Sequence, residues 1–471
     1  MGLSVLHLHL HGLFRGRDPE LGRDADTGGQ TTYVLELARA MAARPDVDRV
    51  EVVTRLIRDG RMGPDYARPL ETPQPGLVIR RLAFGPAGYL PKEQLWPHLD
   101  ALVDALAADL RAQPRLPDWI HAHYADAGYV GAQLRRRLGI PLVFTAHSLG
   151  REKRRRLLAA GCDSQQLERL YAIRQRIEAE EQALAASDLV ITSTPQEQQQ
   201  QYACYAQFRA AQARVIAPGV DTCQFFPPSS GSAAEEGPIQ ALVAPFLRDP
   251  ALPPLLAICR ADRRKNIPAL VEAFGCSERL RRHHNLVLVL GCREDPSQLN
   301  QPQRELFQQV FELVDRYNLY GSVAYPKRHQ RGQIPALYRW ASRRGGVFVN
   351  PALTEPFGLT LLEAAASGLP VVATDDGGPR DILARCRHGL LVHVADPQAL
   401  QQALEQSLAD RRQWQRWRAQ GLAAITLHYS WQAHVERYLE LARPCLLSRQ
   451  LPQRRSPVCR NPSRAGLLQA G

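Results

Sequence analysis

The second half of the chain carries two pairs of residues whose types and spacing could hold an anion and a polyol together. Arg260 and Lys265 lie five residues apart where the strand-like run PLLAICR ends, just before a helical pattern. Two cations on a strand-end loop can hold a diphosphate and stabilise the charge it gains as a leaving group. In NPALTEPFGLTLLEAAASG, Glu355 falls on a loop and Glu363 eight residues on, inside a helix opened by Phe357, Gly358 and Leu359. The amides of a helix start suit phosphate, and the carboxylates can accept hydrogen bonds from sugar or ribose hydroxyls. This stretch is the most specific signal in the sequence.

The first half holds weaker candidates. Gly28 and Gly29, followed by Gln30, stand between a loop and a helix beginning near Thr31, so backbone amides there could face an anion or a polar sugar. An ordinary turn before a helix explains the pair as well. Asp24 and Asp26 form a DxD that occurs often by chance, and it is set aside as a metal site. In FTAHSLGREK, His147 ends a strand, with Gly150, Arg151 and Lys153 on the loop beyond it. A neutral imidazole can donate or accept one hydrogen bond to a sugar, or simply be a satisfied structural histidine. Arg174, Arg176, Glu178 and Glu180 fall on one helix and read mostly as a solvated face with local ion pairs.

Of 59 basic residues only Lys92, Lys153, Lys265 and Lys327 are lysine. In a chain so biased towards arginine, a surviving lysine marks either chance or a site needing a compact ammonium, for which phosphate binding is the obvious use. The net charge is +12, and five of the arginines lie in residues 448–471, a basic tail without acids that reads as disordered. No helix-turn-helix, RNP strand or zinc finger accompanies the charge, so a nucleic-acid partner is not expected. Nine cysteines are scattered singly without CxxC spacing, which points to neither a disulfide framework nor a zinc site.

The elements that must position these residues form two series. SVLHLHL, VEVVTRLI, DWIHAHY, PLVFTAHS and SDLVITST alternate with amphipathic runs, and after PPSSGSAAEEGP a second series follows with PLLAICR, NLVLVLG, GSVAYPK, GGVFVNP and LPVVATDDGG. The expectation is an α/β protein of two Rossmann-like domains with ligands at the carboxyl ends of the strands and a cleft between the halves. The boundaries read as 1–228 for the first domain, 229–238 for a linker, 239–428 for the second domain, 429–447 for a C-terminal helix and 448–471 for the tail. The longest apolar stretches are strand-sized, far short of the roughly 20 residues that span a bilayer. The N-terminus has no basic n-region or cleavable apolar core, so cytoplasmic location is expected.

With these residues in view, the chain resembles the retaining glycosyltransferases of the GT-B fold, and among them the sucrose-phosphate synthase family. ELGRDADTGGQ, YLPKEQLW, HSLGREK, RIEAEE, ITSTPQE, PGVD, RADRRKN, NPALTEPFGLTLLEAAASGLPVVAT and HYSW carry the resemblance, from about His11 to His434. It implies that Gly28, Gly29, Gln30, Lys92, Ser148, Lys153 and Arg176 surround a sugar phosphate acceptor. It implies that Arg260 and Lys265 bind the donor diphosphate, that Glu355 and the amides of Phe357, Gly358 and Leu359 meet the donor sugar, and that Glu363 holds the ribose. His147 would lie against the transferred sugar, and Lys327 near the base. His147, Arg260, Lys265 and Glu355 are thereby the catalytic set, and HYSW begins a segment crossing back to the first domain. The donor loop departs from the usual SRPD, with Cys259 and Ala261 in place of serine and proline, leaving its charges unaltered.

The activity implied is transfer of glucose from UDP-glucose to fructose 6-phosphate with retention, giving sucrose 6-phosphate and UDP. The alternatives are a mannosylfructose-phosphate synthase using GDP-mannose, a sucrose synthase using free fructose, and a nucleotide-sugar-binding regulator without turnover. No metal site or cofactor is required by the motifs, although Mg2+ could help screen the diphosphate. A separate sucrose-phosphate phosphatase would release sucrose, and no membrane partner is expected.

Overall fold

The computed structural model describes residues 2–20, 23–159, 161–229, 236–330 and 332–447. The expected linker falls largely, and the expected tail wholly, outside these residues, and the chain is already helical from Glu236. The first sheet contains β1 (Leu3–Leu8), β2 (Val47–Arg55), β3 (Leu70–Gln74), β4 (Leu77–Leu82), β5 (Trp119–His123), β6 (Leu142–Thr145), β7 (Leu189–Thr192) and β8 (Ala213–Val215). Their order is β3-β4-β2-β1-β5-β6-β7-β8, parallel throughout except for the antiparallel edge pair β3 and β4. The second sheet contains β9 (Pro254–Ile258), β10 (Asn285–Val289), β11 (Val323–Ala324), β12 (Val347–Asn350), β13 (Val371–Thr374) and β14 (Gly389–Val392), ordered β11-β10-β9-β12-β13-β14 and all parallel.

Helices cover both faces of these sheets, so the inner strands read as continuous apolar runs: every residue of β6, β7, β10, β12 and β13 is buried. In each sheet the strand order reverses once beside a central strand, between β1 and β5 in the first and between β9 and β12 in the second. At such a point loops leave in opposite directions and open a crevice at the strand ends. The two Rossmann-like halves expected from the sequence are present. The final helix, Trp431–Leu447, packs on the first domain through Val435, Tyr438 and Leu439, where Trp119 Nε1 donates to Tyr438 Oη at 2.9 Å. Among the described residues no helix is long and apolar enough to cross a membrane.

Candidate active site

In the second domain the carboxyl ends of β9 and β12 bring together the residues expected to meet the donor. Lys265 sits in a 3-10 turn after β9 and its Nζ lies 2.6 Å from Glu355 Oε2, to which Asn350 Nδ2 also donates at 3.2 Å. Glu355 is held by the backbone. It forms an isolated parallel bridge with Gly377, whose φ of +100° and close approach, a Cβ there lying 2.0 Å from the Glu355 carbonyl oxygen, exclude any side chain. Gly358, at φ +101°, then turns the chain into the helix Leu359–Ala366, and Tyr338 Oη donates to Glu363 Oε2 at 3.0 Å. Phe357 and Leu359 are half-buried on either side of that glycine. Arg260 is exposed and makes no ion pair among the described residues, which leaves its guanidinium for an anion. Cys259, Arg260, Lys265, Asn350 and Thr360 border a cavity of about 210 Å³. Burial pushes the Cys259 thiol up to about 12, so it stays neutral and the loop keeps the charge of its cations.

The residues expected to meet the acceptor lie in the first domain. Arg176 donates through Nη2 to the Ser148 carbonyl at 2.8 Å and to Ser148 Oγ at 2.9 Å, and lies over the Tyr124 ring. Lys92 pairs with Asp26 and lies 3.3 Å from Glu93. Lys153 makes no ion pair among the described residues; its Nζ stands 3.5 Å above the Tyr171 ring. Desolvation, then the charges of Arg176 and Lys92, bring the Lys153 ammonium down to about 8. An anion beside it would relieve the repulsion from those two cations. The loop before the helix Gly29–Ala42 is open: a Cβ at Gly28 or Gly29 would meet no atom within 4 Å, so packing does not explain either glycine. Gln30 Nε2 donates to the His123 carbonyl at 3.4 Å.

His147 follows β6 in the left-handed region, φ +57°, with the Tyr33 ring against it edge-on at 4.9 Å. Burial lowers its pKa to about 3, so the ring is neutral. Lys327 is exposed, its carbonyl accepting from Arg293 N at 2.8 Å.

Gly150, Arg151 and Lys153, expected on a loop, instead open the helix Gly150–Ala159, and a second expectation is also overturned. The charged helix Ile173–Ala186 is solvated at Arg174 and Glu178, but Arg176 and Glu180 are 3% and 0% exposed. Four residues apart, they share the inner face, where Arg176 Nε meets Glu180 Oε1 at 2.9 Å and Glu180 also accepts from Gly150 N and Tyr205 Oη. Glu180, Tyr205 and Asp26 thus support the cationic cluster, and sequence reasoning passed over all three in that role. The DxD carboxylates are occupied: Asp24 accepts from Thr27 N and Tyr89 Oη at 2.9 Å each, and Asp26 takes Lys92. A buried pair also missed is His11 with Asp126, 2.7 Å apart.

The fold, together with two family models, defines a glycosyltransferase of GT-B architecture. The Glycosyltransferase Family 4 model matches residues 27–224, and the Glycosyl transferases group 1 model matches residues 247–423. Within that class the chain is a homologue of the sucrose-phosphate synthases: the sucrose-phosphate synthase of Zea mays is 41% identical over 508 residues, an alignment covering 94% of this chain and 48% of the maize protein. The chain spans about half the length of the plant relatives it matches. A solved sucrose-phosphate synthase from Thermosynechococcus elongatus is 28% identical with a TM-score of 0.70, covering 95% of this chain and 100% of its own. Anabaena HepE, solved in complex with UDP-glucose, is 17% identical with a TM-score of 0.61, covering 94% and 100%, and shares the fold.

Proposed function

We propose that the chain is a retaining hexosyltransferase that moves glucose from UDP-glucose to fructose 6-phosphate, releasing UDP and sucrose 6-phosphate. The observation that carries this reading is Lys153, a half-buried ammonium without an ion-pair partner among the described residues, close enough to Lys92 and Arg176 to feel their charge. Such a cluster suits an acceptor that bears a phosphate, and it lies in a different domain from the Arg260 and Lys265 pair that suits a diphosphate. Lys92 already has Asp26 and Arg176 has Glu180, so a free fructose acceptor would leave Lys153 as the cation of the cluster with no anion to bind.

In this reaction the acceptor hydroxyl forms a bond to the anomeric carbon on the face from which UDP departs. The bond from that carbon to the diphosphate oxygen breaks, and the diphosphate takes the acceptor proton. Arg260, Lys265 and the start of the helix at Leu359 stabilise the charge left on UDP, an interaction strongest in the transition state. Glu355, held against Lys265, accepts from sugar hydroxyls and is not required as a nucleophile, unlike the carboxylate pair of a retaining glycosidase. The reading requires no resident cofactor, with Mg2+ serving only to screen the diphosphate, and the enzyme works in the cytoplasm. The product tests it: NMR of the purified sugar should give sucrose 6-phosphate with the glucose still α-linked. A β-linked product, or incorporation of mannose from GDP-mannose in preference to glucose, would contradict it.

A further inference from the structure

Seven histidines crowd the first domain's core, and three of them form one hydrogen-bonded file. His7 Nδ1 lies 3.0 Å from His123 Nε2, and His123 Nδ1 lies 3.0 Å from His147 Nε2. The pleat and register build it: His7 of β1 pairs with His121 of β5, His123 of β5 pairs with Thr145 of β6, and the chain reaches His147 two residues later. His7 and His123 are 0% exposed, and their rings stack within 9° of parallel. We propose that His7 and His123 are positioning residues that set the tautomer of His147, so that His147 presents Nδ1–H as a donor to the transferred sugar.

Counting protons along the file fixes the tautomers. Burial lowers the pKa of His7 and of His147 to about 3, and that of His123 well below its ordinary value, so each ring is neutral with one N–H. His123 then donates to one neighbour and accepts from the other, and both N–H groups point the same way along the file. The end of the file decides the direction. His7 Nε2 is buried without a hydrogen-bond partner among the described residues. An unpaired lone pair there costs less than an orphaned buried N–H, so the His7 proton belongs on Nδ1. His123 Nε2 therefore accepts, its proton sits on Nδ1, and His147 Nε2 accepts in turn. That leaves the His147 proton on Nδ1, a nitrogen with no hydrogen bond among the described residues. A hydroxyl bound there offers its oxygen to the ring and keeps its own proton for a second acceptor. The neighbouring His121 is served apart, its Nε2 lying 2.9 Å from Thr145 Oγ1.

The role of His147 beside the sugar rests on the function proposed above, whereas the tautomer does not, so the test separates them. In full-length protein labelled with 15N at histidine, with His147 assigned by loss of its signals in His147→Ala, Nδ1 should show the shift of a protonated ring nitrogen and Nε2 that of a bare one. The reverse pattern overturns the inference whether or not the protein turns over. In steady-state kinetics His7→Leu, which removes the donor, should lower kcat about fivefold, the worth of one neutral hydrogen bond, with both KM values little changed. His7→Asn, whose amide sits where Nδ1 was, should restore it. Equal kcat for His7→Leu, His7→Asn and wild type overturns the inference. Stoichiometric uptake of Zn2+ lost in His7→Leu would also overturn it, because one ring nitrogen from each of His7, His121 and His123 lies within 4.8 Å of the other two and a metal there would take lone pairs that the file uses.

Discussion

Lys265 Nζ and Glu355 Oε2, ninety residues apart in sequence, lie 2.6 Å from each other at the ends of adjacent strands. The contact ties the cation proposed for the leaving diphosphate to the carboxylate proposed for the sugar hydroxyls, so loss of one disturbs both. Lys265→Ala should lower kcat about 10²–10³-fold, the range for removing one preorganised group that stabilises developing charge, and leave the fructose 6-phosphate KM near wild type. Lys265→Arg should rescue little, since a planar fork does not replace a compact ammonium. Steady-state kinetics with each substrate varied in turn checks both.

Arg176 and Glu180 form a buried pair whose members depend on each other. Arg176→Ala leaves Glu180 without its guanidinium and should cost about 3–5 kcal/mol of stability as well as raising the fructose 6-phosphate KM. Lys153→Ala removes an ammonium that has no carboxylate partner among the described residues, so it should raise the same KM with little change in the urea midpoint. Denaturation and kinetics on the two variants distinguish anion binding from scaffolding.

The acceptor KM should depend on pH through Lys153, held at about 8 by desolvation and by Arg176 and Lys92. Below that value the ammonium is already charged and binding takes up no proton. Above it the free protein has lost the proton that a bound phosphate favours, so affinity falls as pH rises, by up to about tenfold per unit. The KM of wild type should therefore be flat from about pH 7 to 8 and climb beyond, and the climb should vanish in Lys153→Ala.

Two glycines should respond in opposite ways. Gly28→Ala adds a Cβ into open space, so its stability should stay within about 0.5 kcal/mol while the acceptor KM rises. Gly377→Ala places a Cβ 2.0 Å from the Glu355 carbonyl oxygen at a φ of +100°, so it should lower Tm and, by displacing Glu355, kcat together. Thermal melts beside kinetics read both.

Legibility followed the kind of signal. NLVLV and VFVN are uninterrupted apolar runs and announce buried parallel strands, so both sheets were readable in outline. Leu70–Gln74 is LETPQ, an edge strand with no alternation to betray it, Ala213–Val215 is too short to stand out, and Gly389–Val392 is an edge strand only partly buried. Arg176 and Glu180 were misjudged as part of a wet face because an i,i+4 pair has the same spacing whether its side of the helix meets water or core. The His7–His123 contact bridges 116 residues and exists only through the pairing of β1 with β5, a register that sequence periodicity does not specify. The cation at position 265 and the carboxylate at 355 could be picked out singly, while their 2.6 Å contact came only with the fold.

The most direct test of the account is UDP release by the purified protein with UDP-glucose as donor and fructose 6-phosphate or fructose as acceptor. UDP formation should require fructose 6-phosphate and be nearly abolished in Lys265→Ala. Faster turnover with fructose, or no turnover with either acceptor, would contradict it.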